Sequence, residues 1–310
     1  MTNLTAPRFH DEDAAREHIE ASRWPDGVNC PLCGSLSVHR MAGKTQAGMF
    51  LCNDCRSKFT CRTGTIMERS HVPLHKWLLA IHLMASSKKG MSAHQMMRNL
   101  GLGSYRTAWF LCHRIREAMT DDSHKATGGL GGANKVVEVD ETYVGGKAKN
   151  RAFNEPAPKK AVLSLVEREG RVTSFHVANV TAETVRPLIV SNTNRASMLM
   201  SDESKLYPKL GKEFANHGSV NHSANEYARM GGFIHINTAE NFYSILKRGI
   251  TGTYHSVSEA HLHSYLAEFD FRYNNRSGLG VEDAARAAKA LKGTEGKRLT
   301  YRQPASEAAH

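Results

Sequence analysis

The spacing of apolar residues changes character near residue 130. Before that point the apolar positions recur at helical spacing, in a short amphipathic segment within residues 1–24 and more strongly in residues 74–86, LHKWLLAIHLMAS. After that point apolar and β-branched residues gather in short runs separated by turn formers, which is typical of strands. The pattern therefore predicts a helical first part and a second part that contains a sheet.

A pair of helices is predicted between these two parts. The first begins at Ser92, where Gln95 three residues on completes a capping-box pattern, and it ends at Gly101. The second begins at Ser104 and runs through TAWFLCHRIREAM. The break between them is short and contains glycine, so the pair has the form of a helix-turn-helix.

The second part predicts strands first and helices afterwards. The runs VVEVDETYV, AVLSLVER and RVTSFHV are predicted strands, and Glu169-Gly170 joins the last two as a hairpin. TAETVRPLIVSN predicts a helix, ASMLMSD a fourth strand, and NFYSILKRGI and SEAHLHSYLAEFDFRYN two further helices. The order predicts an α/β fold, a sheet covered by helices.

Composition shifts divide the chain into six segments. Residues 120–134 are polar and rich in glycine, so the main boundary is placed there. The predicted segments are an N-terminal helix at 1–24, a cysteine-bearing module at 25–62, a helical segment at 63–127, a linker at 128–134, a sheet-containing domain at 135–276, and a C-terminal helix and tail at 277–310.

Four cysteines have the spacing of a structural zinc site. Cys30, Cys33, Cys52 and Cys55 form two C-x2-C pairs, and each pair places two thiolates on one side of a metal ion. A complete set of four thiolates leaves no open coordination position, so one zinc ion with a structural role is expected. Cys61 and Cys112 fall outside the spacing and are predicted to be core thiols.

The excess of positive charge is concentrated around these features. The formal net charge is +11, and residues 30–116 contain 13 Lys and Arg against two acids, while the rest of the chain has 28 of each sign. A concentrated basic segment is typical of a nucleic-acid-binding protein, although a solvated basic surface is the alternative. On the second helix of the pair, the candidate DNA-binding residues are Arg106, His113, Arg114 and Arg116.

Carboxylates follow the predicted strands of the second part. Asp140 lies at the end of VVEVD, Asp202 at the end of SMLMSD, and Glu240 at the start of a helix that carries Lys247 two turns later. Acids at strand ends can converge at one edge of a sheet and hold two Mg²⁺ ions.

Each of these acids has neighbours that leave the choice open. Glu138 lies on the same face of the strand as Asp140, whereas Glu141 and Glu203 are expected to point the other way. Asn237 and Asn241 flank Glu240. Surface acids in ordinary salt bridges are the alternative for any one of these positions.

The ordered motifs resemble a known family. WPDGVNCPLCGS, the cysteine pairs, the helix pair, VEVDETYVGGK, SDESKLY, NHSANEYARMGG and HINTAENFYSILKRGITGTYHSV resemble bacterial insertion-sequence transposases with an N-terminal zinc ribbon and an ISXO-two-like DDE domain, the fifteen-ninety-five family. The resemblance covers roughly residues 10–276. It implies an RNase-H-like fold for residues 135–276 and a catalytic triad of Asp140, Asp202 and Glu240, followed by Lys247. Some family members carry asparagine at the third position, which leaves the third ligand open.

The resemblance implies an enzyme that uses divalent cations. Two Mg²⁺ or Mn²⁺ ions on the triad would support DNA cleavage and strand transfer, while the zinc ribbon and the helix pair would bind the terminal inverted repeats of double-stranded DNA. Lys147, Lys149 and Arg248 are further candidate contacts to phosphates. Synapsis of two ends implies a homodimer or larger assembly.

Two related functions remain open at this point. A catalytically silent regulator derived from a transposase would keep the DNA-binding part and lose the acids, all of which are present. A metal-dependent nuclease that cuts without joining would use the same acids. No long apolar run or signal-peptide pattern is present, so a cytoplasmic protein associated with the nucleoid is expected.

Overall fold

The computed structural model describes residues 3–43, 46–121, 123–126, 128–145, 159–224 and 226–300. The chain divides into two compact units. Unit 1 contains residues 1–87, 91–119 and 282–310, and unit 2 contains residues 88–90 and 120–281.

Unit 1 begins with a helix and a small three-stranded sheet. After a 3-10 turn at Pro7–Phe9, helix α1 (Glu12–Arg23) leads to the antiparallel strands β1 (Val38–Arg40), β2 (Phe50–Cys52) and β3 (Lys58–Phe59). The Phe50 and Phe59 rings stack with centroids 5.4 Å apart, and Trp24 meets both rings at their edges. Because this sheet buries few other large apolar side chains, its core depends on three aromatic rings.

The predicted helices follow the sheet. They are α2 (Leu74–Ser86), α3 (Ala93–Asn99) and α4 (Tyr105–Met119). The hydroxyl of Ser92 accepts a hydrogen bond from the backbone N–H of Gln95, 3.2 Å away, so the predicted helix start is confirmed. The helical spacing in residues 74–86 also predicted α2 correctly.

Unit 2 is built on a five-stranded mixed sheet. Its strands are β4 (Val136–Val144), β5 (Lys160–Glu167), β6 (Val172–Val177), β7 (Met198–Ser201) and β8 (Asn216–Ser219), in the spatial order β6-β5-β4-β7-β8. Strands β4, β5 and β6 pair antiparallel, and β4, β7 and β8 pair parallel. The mixed sheet with helices agrees with the predicted RNase-H-like α/β class. The hairpin predicted at Glu169-Gly170 is confirmed between β5 and β6.

Helices cover both faces of this sheet. Unit 2 contains the short helix α5 (Ser123–Ala126), then α6 (Ala182–Asn192), α7 (Tyr207–Gly211), α8 (Asn237–Gly249) and α9 (Glu259–Asn274). Apolar residues of α6 and α7 pack on Val137, Val139 and their neighbours. Those of α8 and α9 pack on Val144, Val162 and their neighbours. The alternation along β4 thus sends successive side chains into two different cores.

The last described helix, α10 (Asp283–Lys292), belongs to unit 1 and packs against α2 and α4. The guanidinium of Arg286 donates to the carbonyl of Ala85 at 3.3 Å. Farther on, the ammonium of Lys297 donates to the carbonyls of Glu117 and Ala118. Unit 1 is therefore assembled from the beginning and the end of the described chain.

No helix within the described part of the chain combines the length and the apolar character that crossing a bilayer requires.

Candidate metal centres and nucleic-acid surface

The four predicted zinc ligands lie together in unit 1. The Sγ atoms of Cys30 and Cys55 are 3.7 Å apart, those of Cys33 and Cys52 are 3.6 Å apart, and all four lie within 4.8 Å of one another. Four thiolates at the usual Zn–S distance of about 2.3 Å form a tetrahedron with edges of about 3.8 Å. The observed separations fit a structural zinc ion bound by these four residues.

Backbone turns bring each cysteine pair to the metal position. The N–H of Gly34 donates to the carbonyl of Cys30 at 2.8 Å, and Gly34 has a φ of +78°, in the left-handed region that glycine adopts readily.

Cys61 and Cys112 are buried, as predicted for core thiols, and neither belongs to the four-cysteine cluster.

The sequence placed both predicted catalytic aspartates at strand ends, but in the structure Asp140 lies in the middle of β4, while Asp202 follows the end of the neighbouring parallel strand β7. Strand β4 pairs with β7 in a register that matches Val136 with Met198 and Glu138 with Met200. Continued by two residues, this register brings Asp140 level with Asp202 on the same face of the sheet. Asp202 directly follows the last residue of β7, so the two carboxylates lie where the parallel pairing of β4 and β7 ends, although β4 continues to Val144 in its pairing with β5.

Asp140 is surrounded by other carboxylates. Burial, and then the negative charges of Asp202, Glu141 and Glu240, raise the pKa of Asp140 to about 8. The hydroxyl of Tyr243 on α8 donates to the backbone carbonyl of Asp140, which ties this helix to the middle of β4. The result is a concentration of negative charge that a bound cation would relieve.

Glu240 and Lys247 lie on the exposed side of α8, while Ala239, Phe242 and Leu246 are buried against the sheet. Within the described ranges, the four cysteines are the one group of three or more potential ligands whose atoms all lie within 4.8 Å of one another. The three acids are thus neighbours at one edge, and they are more widely spaced than the four thiolates.

Glu138 has a different role from its neighbour Asp140. Its carboxylate is fully buried and accepts hydrogen bonds from the backbone N–H groups of Thr238 at 2.8 Å and Ala239 at 3.0 Å. It also accepts from Arg168 at 2.6 Å and lies 3.2 Å from His235 Nδ1. These partners occupy both carboxylate oxygens, and Glu138 therefore serves as the anchor for the start of α8.

Glu141 and Glu203 also have hydrogen-bond partners of their own. Glu141 accepts a hydrogen bond from the hydroxyl of Tyr207, which is buried in the core on the opposite face of the sheet. The carboxylate of Glu203 accepts from the N–H and the hydroxyl of Ser223. The sequence did not identify the residues that contact Glu138, or Tyr207 as the partner of Glu141. All of these residues lie far along the chain from the acids that they contact.

The predicted DNA contacts on α4 need correction. His113 and Arg116 are only 3% and 2% exposed, so their side chains belong to the interior of unit 1. Arg114 donates to the carbonyls of Ile66 and Glu68, which makes it largely structural. Of the four predicted residues, Arg106 is the one on the exposed surface. The sequence could have predicted the burial of Arg116, because Arg116 follows Cys112 by one helical turn and the two therefore lie on the same buried face of α4.

The remaining candidate phosphate contacts are in unit 2. Arg248 is exposed on α8, where its Nε donates to the carbonyl of Ser244 at 3.0 Å. Lys147 and Lys149 lie outside the described residues.

A mixed sheet of this order, with acids on its central strand, after the neighbouring parallel strand and on a following helix, defines the RNase-H-like class of DDE domains. Family comparison agrees: residues 130–274 match the ISXO2-like transposase domain, and residues 10–58 match the transposase zinc-ribbon domain. The chain belongs to the IS1595 family of insertion-sequence transposases.

A curated relative supports the same assignment. This relative, from Halobacterium salinarum, is described as an uncharacterized protein in transposable element ISH50. It is 26% identical over 281 residues, which cover 85% of this chain and 91% of the relative.

Proposed function

We propose that this protein is an active transposase that cuts the ends of an insertion sequence and joins them to target DNA. The observation that carries the proposal is the level placement of Asp140 on β4 and Asp202 after the adjacent parallel strand β7, with Glu240 on the helix that Tyr243 ties to Asp140. Carboxylate oxygens are the ligands that Mg²⁺ and Mn²⁺ prefer, and these three acids would hold two such ions. Glu240 is favoured over its asparagine neighbours because a charged carboxylate is the ligand that these cations prefer.

Two bound cations supply charge neutralisation and an activated water for in-line displacement at phosphorus. The protein residues have distinct tasks around them. Asp140 and Asp202 fix the cation positions from the rigid sheet, and Glu240 closes the ligand set from α8. Lys247, two helical turns after Glu240, would hold a DNA phosphate beside the acids, and Arg248 would extend this contact. No protein side chain needs to become covalently bound to DNA.

Unit 1 would provide recognition of the terminal inverted repeats. The zinc ion, bound by Cys30, Cys33, Cys52 and Cys55, would stabilise the small ribbon, and the exposed N-terminal part of α4 would face the DNA with Arg106.

Bringing two ends together requires two catalytic domains, so we propose a homodimer or a larger assembly on DNA. Such a protein would act at the nucleoid, in the cytoplasm.

The decisive experiment is an in vitro reaction of the full chain with Mg²⁺ or Mn²⁺ and DNA that carries the inverted repeats of the element. A product in which the element end is joined to a target plasmid supports transposase activity. Cleavage without joined product would indicate a nuclease instead. Binding of the ends without cleavage under either cation would indicate a silent regulator.

A further inference from the structure

Unit 1 contains an open cavity of about 290 Å³ between α4 and the segment that precedes α2. Its floor is apolar and includes Val72, Trp77 and Phe110, and its rim carries Arg69, Arg106 and Arg114. This volume is close to the lower end of the range of small-ligand sites, about 300 Å³. The cavity therefore combines a flat apolar surface with clustered guanidinium groups.

The ionisable side chains that line the cavity are all basic. Three arginines and His71 line the cavity, and no Asp or Glu is among its lining residues. Burial and the nearby Arg298 lower the pKa of Arg114, whereas the charge of Glu68 raises it, and an arginine stays protonated. Glu68 Oε1 also lies 3.8 Å from Arg69 Nε, so three guanidinium groups surround the cavity with this one carboxylate nearby. A positive rim of this kind selects an anionic ligand.

The cavity is also held in a fixed shape. Ser70 Oγ accepts hydrogen bonds from Trp77 Nε1 and from the N–H of Val72, both at 3.2 Å. Arg62 Nη1 donates at 2.9 Å to the carbonyls of Ser70 and Val72. Arg69 adopts a φ of +56°, a left-handed conformation that is uncommon for residues other than glycine. The hydrogen bonds that follow it stabilise the segment that carries its side chain.

Arg114 joins the apolar and charged parts of the cavity. Its guanidinium donates to the carbonyls of Ile66, Glu68 and Leu299 and lies 4.8 Å from the centroid of the Phe110 ring. The guanidinium is therefore restrained beside an aromatic face. A planar base beside Phe110 and an anionic phosphate at the rim would match this arrangement.

We propose that this cavity binds a single unpaired nucleotide of DNA, with the base against Phe110 and the phosphate at Arg69 and Arg106. The proposal rests on the proposed function, because it places the cavity next to the part of α4 that faces DNA. A phosphate of intact duplex would use the rim and leave the apolar floor empty. An unpaired nucleotide uses both, so the observations favour displaced or single-stranded DNA over duplex.

The test uses the full chain and a thymidylate octamer with a central 5-bromodeoxyuridine. Ultraviolet irradiation should join the bromodeoxyuridine to a peptide that contains Trp77 or Phe110, identified by mass spectrometry. Phe110→Ala should weaken binding of the octamer by roughly tenfold, since base stacking on an aromatic ring accounts for about that factor. Phe110→Tyr should restore it, and Phe233→Ala, which removes an exposed ring from unit 2, should leave it unchanged.

Arg69→Ala provides a second variant at an exposed position, in case Phe110→Ala does not fold. It should weaken octamer binding several-fold and make the affinity less dependent on salt. Wild-type octamer affinity in both folded variants, or crosslinks only outside this cavity, would overturn the proposal. So would thymidine monophosphate that binds the cavity as tightly as the octamer, because the ligand would then be a free nucleotide.

Failure of this proposal is distinguishable from failure of the proposed function. Strand joining at the element ends is measured separately with the wild-type chain. If joining occurs while Phe110→Ala and Arg69→Ala bind the octamer normally, the chain is a transposase and the cavity is not its nucleotide site.

Discussion

Glu138 and Asp140 lie two residues apart on the same face of β4, yet their carboxylates contact different groups. Glu138 is surrounded by donors, including Arg168 and the first N–H groups of α8. Asp140 lies among acids, and burial together with their negative charges raises its pKa to about 8. A single strand therefore supplies both the residue that positions α8 and the residue that lies beside Glu240 at the candidate metal site.

Replacing Asp140 with asparagine should abolish strand cleavage and joining. The variant keeps the shape of the side chain but loses the charge that a divalent cation needs. Its folding should be unimpaired, since the substitution removes repulsion between Asp140 and the neighbouring carboxylates. The measurement is the yield of joined product with Mn²⁺, together with thermal unfolding. Glu203→Gln is the matched control beside Asp202 and should keep full activity. Wild-type joining by Asp140→Asn would contradict the assignment of the site.

Replacing Glu138 with alanine should destabilise unit 2 by about 3–5 kcal/mol, because a buried ion pair loses one partner and Arg168 is left beside an uncharged cavity. Glu138→Gln should cost less, since its amide oxygen still accepts from Thr238 and Ala239. Urea unfolding measures the difference, and Glu169→Ala, in the exposed hairpin turn, should change stability by less than about 0.5 kcal/mol. Equal stability of Glu138→Ala and the wild type would show that the anchor is unimportant.

Removing one thiolate from the cysteine cluster should release zinc. Cys52→Ser leaves three ligands, and structural zinc contributes on the order of 10 kcal/mol to the folding of small modules. We expect less than one zinc ion per chain by elemental analysis and loss of specific binding to the inverted repeats. Cys61→Ser changes a buried thiol outside the cluster and should retain zinc. Full zinc content in Cys52→Ser would exclude the four-thiolate site.

The buried carboxyl group of Asp270 should make stability depend on pH. Burial raises its pKa from 3.8 to about 7, although Ser174 donates to it from both its N–H and its hydroxyl. Between about pH 4 and pH 7 the folded protein keeps a proton that the unfolded chain loses. The contribution of Asp270 to stability therefore falls as pH rises through this range, with a slope of at most about 1.4 kcal/mol per pH unit, and is constant above it.

Asp270→Asn should remove this pH dependence, because the amide does not titrate: its oxygen accepts from the N–H of Ser174, and its NH2 group donates to the hydroxyl oxygen of Ser174. Urea unfolding at pH 5 and pH 8 should therefore give a smaller difference for the variant than for the wild type. Asp26→Asn, in an exposed turn, is the control and should keep the wild-type difference. Identical pH profiles for Asp270→Asn and the wild type would contradict a protonated Asp270 at pH 5.

Local patterns predicted the elements well where a side-chain period or a cap defined them. The alternation in VVEVDETYV matches β4 from Val136 to Val144, and the capping pattern at Ser92 matches the start of α3. Strand β8 (Asn216–Ser219) was not predicted, because NHGS has little intrinsic preference for a strand and forms one through pairing with β7.

Burial of charged residues was the main limit of the prediction for helix α4. His113 and Arg116 were interpreted by residue type, whereas their helical positions relative to Leu111, Cys112 and Ile115 place them in the interior. In unit 2, the sequence places Glu138 and Asp140 on one face of a strand. It does not reveal that Thr238, a hundred residues later, donates hydrogen bonds to the carboxylate of Glu138. Such long-range partners require the tertiary structure.

Helix α10 completes unit 1 after the chain has passed through all of unit 2. The ribosome therefore synthesises unit 2 before it releases the helix against which α2 and α4 pack. A nascent chain that still lacks residues 283–292 has an unfinished unit 1, with the apolar side of α2 uncovered. The order of synthesis thus delays completion of unit 1, for which we propose DNA recognition, until unit 2 has been made, and a chain truncated after residue 281 would have an incomplete unit 1.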